Sequence, residues 1–108
     1  MNKKIDLTQL TKGEVRNLTG QDRGKAARQL FELDILDKDS EMVTVIVPPE
    51  LDAITTSFFQ GMFSASVRSA KTAEKFLAKY HFETNASIME QIIRGIQRVL
   101  TPRGTALG

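Results

Sequence analysis

The 108-residue sequence contains no cysteine and only one histidine, His81. Without thiols the chain can form neither disulfides nor thiolate metal sites. A single histidine also argues against a cluster of histidine metal ligands and against a Ser-His-Asp triad within one chain. We therefore expect a protein without a cofactor and without enzymatic activity.

Long apolar segments are also missing. No stretch reaches the roughly 18 apolar residues of a membrane-spanning helix, and the start Met1-Asn2-Lys3-Lys4 does not lead into the apolar core of a signal peptide. Hydrophobic residues make up 41% of the chain, enough for a globular core. We expect one cytoplasmic domain without membrane association. Its core should cover about residues 20–101, with a weak edge strand within 1–12 and a flexible tail at 102–108.

Charge of one sign is scarce, because 15 basic residues are nearly balanced by 13 acidic ones. The one local excess of basic residues lies between positions 12 and 28. A nucleic-acid interface needs such groups on one face, whereas a solvated surface of mixed charge is the more ordinary outcome. We keep nucleic-acid binding as an alternative to the function favoured below. Its contacts would be Arg16, Arg23, Lys25 and Arg28.

The most informative stretch runs from Met42 to Met62. Its first part is a continuous run of apolar and β-branched residues, which predicts a strand with cover on both faces. Pro48 and Pro49 end that strand. A helix follows, for which Thr56 or Ser57 would be the N-cap. The stretch therefore predicts a central strand, a rigid loop over 48–57 and a capped helix.

Helices are predicted on either side of this unit. Asp22 would cap a first helix that ends near residues 34–36, and Asn85 or Ser87 would start the last one. Their apolar faces are Ala26, Ala27, Leu30, Phe31 and Leu33 in the first helix, and Ile88, Ile92, Ile96 and Val99 in the last. Lys71 interrupts the middle helix, and a short strand follows near residues 81–84. Strands alternating with helices predict an α/β sandwich with a mostly parallel or mixed sheet.

The start of the middle helix also offers the best candidate site. A hydroxyl among Thr55, Thr56 and Ser57 caps the helix in the simplest interpretation, but a phosphate would also be favoured there. Phe58 and Phe59 could form a patch that contacts a partner, or they could belong to the core. A nucleophilic serine would need a base, and only His81 is available. Partner binding is therefore favoured over catalysis.

Three pieces of the chain resemble the STAS-like domains of bacteria and their phages, which belong to the STAS superfamily. The pieces are Arg23-Gly24-Lys25-Ala26-Ala27-Arg28-x-Leu30, Val43–Val47, and Ile54-Thr55-Thr56-Ser57-Phe58-Phe59-x-Gly61-Met62-Phe63. By element order the similarity covers roughly residues 20–100. It implies a STAS-like α/β sandwich whose strand-to-helix loop serves regulation through protein–protein contacts.

The resemblance also implies a partner. In anti-sigma factor antagonists of the STAS superfamily, the corresponding loop reads Asp-Ser-Ser-Gly, and a kinase of the GHKL ATPase fold phosphorylates the first serine. The acid falls on Thr55, the phosphoacceptor on Thr56, the second serine on Ser57 and the glycine on Phe58. We accordingly expect a protein partner such as a GHKL-type ATPase to contact residues 55–59, with Thr56 and Ser57 as phosphorylation sites. A homodimer remains open.

Overall fold

The computed structural model describes residues 3–12 and 15–101. Within these ranges all strand pairs are parallel, and the α/β class predicted from the sequence is confirmed. The strands are β1 (Lys3–Asp6), β2 (Asn17–Leu18), β3 (Val43–Ile46), β4 (Ala53–Ile54) and β5 (Tyr80–Glu83). The helices are α1 (Thr8–Thr11), α2 (Gln21–Leu30), α3 (Leu33–Lys38), α4 (Thr56–Ala70), α5 (Ala73–Lys79) and α6 (Ala86–Leu100). The predicted tail at 102–108 lies outside the described residues.

The main sheet has the strand order β1-β3-β5, so β3 is the central strand, as its apolar run predicts. Val43 and Val45 are fully buried on one face of β3, and Thr44 is buried on the other. Strand β5 follows the predicted alternation, with Phe82 buried and its neighbours His81 and Glu83 exposed. Because a central parallel strand needs cover on both faces, the burial of β3 explains why its sequence does not alternate.

A second, two-stranded sheet joins β2 to β4. Neither strand is predicted from the sequence, because each has only two residues and lies in a segment rich in turn formers or close to prolines. Leu18 pairs with Ile54, and both side chains are buried. This small sheet therefore ties the loop after β3 to the segment before α2. The edge strand β1 forms at Lys3–Asp6, and helix α1 follows it directly.

Helix α2 differs from its prediction at both ends. The N-cap is Gly20 and not Asp22, which lies inside the helix. Gly20 has a φ of 91°, a conformation that glycine adopts without steric cost. The helix ends at Leu30, and α3 starts only after Glu32, which adopts the left-handed conformation. The single predicted helix is therefore two helices, and the exposed Leu30 does not belong to the core.

Helix α4 crosses α2 at a very short distance. A Cβ atom added to Gly61 of α4 would lie 2.1 Å from the carbonyl oxygen of Gln21, and one added to Gly24 of α2 would lie 2.2 Å from that of Phe58. Two backbones can approach this closely only where side chains are absent. The glycines at 24 and 61 thus fix how α2 packs on α4, and with it the position of the α4 N-terminus.

The core between α4 and the sheet is aromatic. Phe63 lies within 5.6 Å, centroid to centroid, of four other rings, most of them in edge-to-face orientation. These rings belong to Phe59, Phe76, Tyr80 and Phe82. Such pairs add to the stabilisation that burial of their surface already provides.

Helices α5 and α6 begin as the sequence indicates. Lys71 ends α4 in the left-handed conformation, and Thr72 caps α5. Asn85 caps α6 by accepting a hydrogen bond of 2.9 Å from the backbone N–H of Ile88. In the part of the chain that the structure describes, no helix has the length and apolar character needed to cross a membrane.

Candidate functional site

Thr55 is the N-cap of α4, so the hydroxyl cap expected among residues 55–57 is confirmed. The narrower expectation of Thr56 or Ser57 is wrong, because both lie inside the helix. Oγ1 of Thr55 accepts a hydrogen bond from the backbone N–H of Phe58 at 3.3 Å. The same hydroxyl lies 3.3 Å from the carbonyl oxygen of Leu18, to which it donates. The pairing of β4 with β2 places Thr55 beside Leu18 and makes Thr55 the cap. The sequence cannot predict this, because three adjacent residues carry hydroxyls. Thr55 is therefore committed to the structure of the helix start.

The loop before α4 is held in place by backbone hydrogen bonds. The N–H of Asp52 donates to the carbonyl of Arg16 at 2.7 Å, and the N–H of Thr55 donates to that of Leu18 at 2.9 Å. The N–H of Ile54 donates to the side-chain oxygen of Gln91 on α6 at 2.8 Å. The last part of loop 48–57 is thus anchored both to the β2 segment and to α6.

Thr56 and Ser57 occupy the first turn of α4 and remain accessible. Ser57 is exposed, with its Oγ 3.1 Å from Oγ1 of Thr55, and Thr56 is half-buried. Thr56 lines a depression of about 350 Å³ together with Gln91 and Arg94 of α6. A phosphate on either hydroxyl would lie at the N-terminus of a long helix, where backbone N–H groups favour negative charge.

Phe58 and Phe59, expected as partner contacts, are buried instead. Only 3% of Phe58 and 1% of Phe59 is exposed to solvent. Phe59 packs in the aromatic core, and Phe58 lines an open apolar groove of about 490 Å³ beside α2 together with Leu18 and Leu30. The core interpretation of the two rings is therefore the correct one. The two rings lie in the core beneath the first turn of α4 and form no exposed patch.

The basic residues proposed for nucleic-acid contact do not form one surface. Arg28 is 13% exposed and is enclosed by the acids of α3. Arg16 forms an exposed ion pair of 3.0 Å with Asp52. Arg23 and Lys25 are exposed on α2. Two of the four cations are thus engaged by carboxylates, which weakens the nucleic-acid alternative.

Arg28 belongs to a buried polar network beneath α4. Its guanidinium donates to the carbonyl of Met62 and to Oγ of Ser66, both at 2.9 Å, and pairs with Asp37 at 2.5 Å. Asp37 also accepts hydrogen bonds from Ser66 and from the hydroxyl of Tyr80. Burial, followed by the hydrogen bond to Asp37, raises the pKa of Tyr80 well above its usual value of 10. Every polar group of this network has a partner, as expected of a structural element.

Residues 3–12 and 15–101 contain no group of three or more histidine or acidic side chains placed to hold a metal ion. His81 is exposed on β5. Among the described residues, the hydroxyls of residues 55–57 form no hydrogen bond to a side chain that could act as a base. The start of α4 can therefore bind a partner or accept a phosphate, but it has no activated nucleophile.

Sequence reasoning missed the arginines that face the start of α4. Arg94 and Arg98 lie four residues apart on α6, on the side away from its buried isoleucines. Their spacing shows that they share a helix face. That this face lies beside the start of α4 follows only from the packing of α6 on α4, which the sequence does not reveal.

No family model, curated protein or solved structure matches this sequence.

Proposed function

We propose that this protein is a small, non-catalytic regulatory module of the cytoplasm that binds a protein partner through loop 48–57 and the first turn of α4. The observation that carries the proposal is a pinned loop that ends in two accessible hydroxyls, those of Thr56 and Ser57. Because the loop is anchored before any partner arrives, little conformational entropy is lost when it binds. Preorganisation of this kind is typical of docking surfaces.

The resemblance to STAS-like domains supports the same surface. It implies regulation through protein contacts and a partner with the GHKL ATPase fold. Thr56 stands at the position of the phosphoacceptor, and Arg94 lines the same depression. A phosphate on Thr56 would gain an arginine neighbour and a helix N-terminus. In this proposal phosphorylation of Thr56 or Ser57 releases the partner.

The test compares two matched serines. Ser57 and Ser87 each occupy the second position of a 15-residue helix, α4 and α6, and both are exposed. The partner is first obtained by co-purification with the tagged chain from its native host, and its binding is then measured by calorimetry with purified proteins. We expect Ser57→Glu to weaken binding at least about tenfold and Ser87→Glu to leave it unchanged.

Equal affinity for the Ser57→Glu variant and the unaltered chain would contradict the proposed surface. Because Phe58 and Phe59 are buried, their substitution tests folding and is not a suitable probe of docking. Incubation of the pair with ATP, followed by mass spectrometry, shows whether Thr56 or Ser57 takes up a phosphate.

A further inference from the structure

Three depressions follow one another along the junction of α4 and α6. The first contains Thr56 and Arg94, the second adds Gln97 and Arg98, and the third continues past Arg98. Their volumes are about 350, 400 and 340 Å³. Neighbouring depressions share side chains, so they lie next to one another along this junction. We name this row of depressions the arginine furrow and define it by Thr56, Arg68, Arg94, Gln97, Arg98 and Thr101.

The charge of the arginine furrow is one-sided. Three guanidinium groups line it, and among the described residues no aspartate or glutamate does. Arg94 pairs with Glu90 at 2.9 Å, but both side chains are about two-thirds exposed, so the pair is weak. Arg68 and Arg98 form no ion pair within residues 3–12 and 15–101. In a chain with nearly balanced charge, three neighbouring arginines, two of them without an ion pair in the described residues, are a specific feature.

We infer that the arginine furrow binds an acidic peptide segment of a protein partner. Guanidinium groups bind carboxylates through paired, charge-assisted hydrogen bonds. Among the uncharged groups of the furrow, Thr56 and Gln97 can both donate and accept hydrogen bonds, whereas Thr101 donates its hydroxyl proton to the carbonyl of Gln97 and can only accept. Peptide backbone offers donors and acceptors in alternation, whereas a phosphodiester backbone offers acceptors alone.

The lack of aromatic side chains in the described part of the arginine furrow also favours an acidic peptide over nucleic acid. Among the described residues that line it, none is aromatic. Single-stranded nucleic acids are usually held by stacking of bases on aromatic side chains as well as by cations. The furrow offers cations and hydrogen-bonding groups without a stacking platform, which matches an acidic peptide better.

This inference deepens the proposed function and rests on it, because the furrow starts at Thr56, within the proposed docking surface. It assigns the neighbouring arginines on α6 and α4 to the recognition of the partner's acidic residues. The partner would thus touch the first turn of α4 and extend an acidic segment along α6.

The test uses a fluorescein-labelled peptide of alternating Glu and Ser, with its Gln-for-Glu counterpart as the neutral control. The double variant Arg94→Gln/Arg98→Gln is compared with Arg23→Gln/Lys25→Gln, which removes the same charge from exposed positions of α2. By fluorescence anisotropy at an ionic strength of about 0.15 M, we expect the first variant to bind the acidic peptide about tenfold more weakly. The second should change binding less than about twofold, because distant exposed charges are screened.

Equal loss in the two double variants would overturn the inference, since it would mean that overall charge and not the furrow attracts the peptide. Failure of the unaltered chain to prefer the acidic over the neutral peptide would overturn it as well. Oligothymidine of matched charge is the third probe. Tighter binding of this probe, lost in Arg94→Gln/Arg98→Gln, would assign the furrow to nucleic acid and overturn the inference.

The native partner separates this inference from the proposed function. If Ser57→Glu abolishes binding of the partner while Arg94→Gln/Arg98→Gln does not, the docking surface stands and the furrow inference fails. If only the arginine variant loses binding, the furrow recognises the partner and the loop does not. Loss in both variants supports both.

Discussion

Helix α4 packs against α2 on one flank and against α6 on the other, and the two flanks are built differently. On the α2 side, Gly24 and Gly61 bring the helix backbones into direct contact. On the α6 side, Gly95 meets the ring of Phe59 and not a backbone. A rotating side chain can yield to its neighbour, but two crossing helices can yield only by moving apart.

Arginines show the same contrast. Arg28 on the α2 flank is half-buried and bonded to a carboxylate, a hydroxyl and a carbonyl. Arg98 on the α6 flank is exposed and lines an open furrow. Residue type therefore does not distinguish a structural cation from one available to a ligand. Arg28 is structural because the acids of α3 bind its guanidinium group.

The largest expected effect comes from the two glycine contacts. Gly61→Ala places a methyl group 2.1 Å from a carbonyl oxygen of α2, whereas in Gly95→Ala the methyl meets the Phe59 ring at 2.5 Å. We expect Gly61→Ala to cost about 3 kcal/mol, because the helix crossing must widen. Gly95→Ala should cost less, about 2 kcal/mol, because movement of one side chain and the better helix propensity of alanine offset part of the strain, although the methyl also meets Cγ of the buried Phe59 at 2.8 Å. Urea denaturation measures both.

Two arginine substitutions test the second contrast. Arg28→Gln leaves Asp37 without its cation in a buried network, and we expect it to lower the free energy of unfolding by about 2 kcal/mol. Arg98→Gln removes an exposed charge without an ion pair in the described residues, and its effect should stay within about 0.5 kcal/mol. Similar losses in the two variants would show that Arg98 also has a structural role.

Tyr80 has no titration effect on stability near neutral pH and acts only in alkaline solution. Its pKa is raised in the folded protein, so above pH 10 the unfolded chain loses the phenolic proton while the folded chain keeps it. Stability is complete below that pH and falls above it, by up to about 1.4 kcal/mol per pH unit. Tyr80 is the chain's one tyrosine, so tyrosinate absorbance reports on it alone. The absorbance should rise together with unfolding, and Tyr80→Phe should show a shallower loss of stability with pH.

Much of the fold follows from the sequence, because strong local signals and tertiary packing agree. The apolar run of β3 and the isoleucine face of α6 predict their elements and their burial correctly. The break at Glu32 and the strands β2 and β4 are not predicted. The strands β2 and β4 have only two residues each and form because they pair with each other, which no local pattern predicts. The left-handed conformation of Glu32 is likewise not indicated by the residues around it.

The candidate site was predicted only in part. Loop 48–57 and its hydroxyls were identified, but which hydroxyl caps α4 depends on the pairing of β4 with β2. Phe58 and Phe59 were uncertain because an aromatic pair at a helix start can face either way. Arg94 and Arg98 gained their meaning from the packing of α6 beside α4, which no local pattern contains.

The parallel main sheet has a consequence for how the chain folds. Lys3 pairs with Val43, and Val43 pairs with Tyr80, so each strand pair joins segments roughly forty residues apart. No hairpin can nucleate this sheet. Each strand pair loses the conformational entropy of a long loop before its contacts stabilise it. During synthesis β1 waits for β3, and the sheet is complete only once β5 has left the ribosome. Until then one edge of β3 lacks its partner strand, while the helices, which form from local contacts, can assemble first.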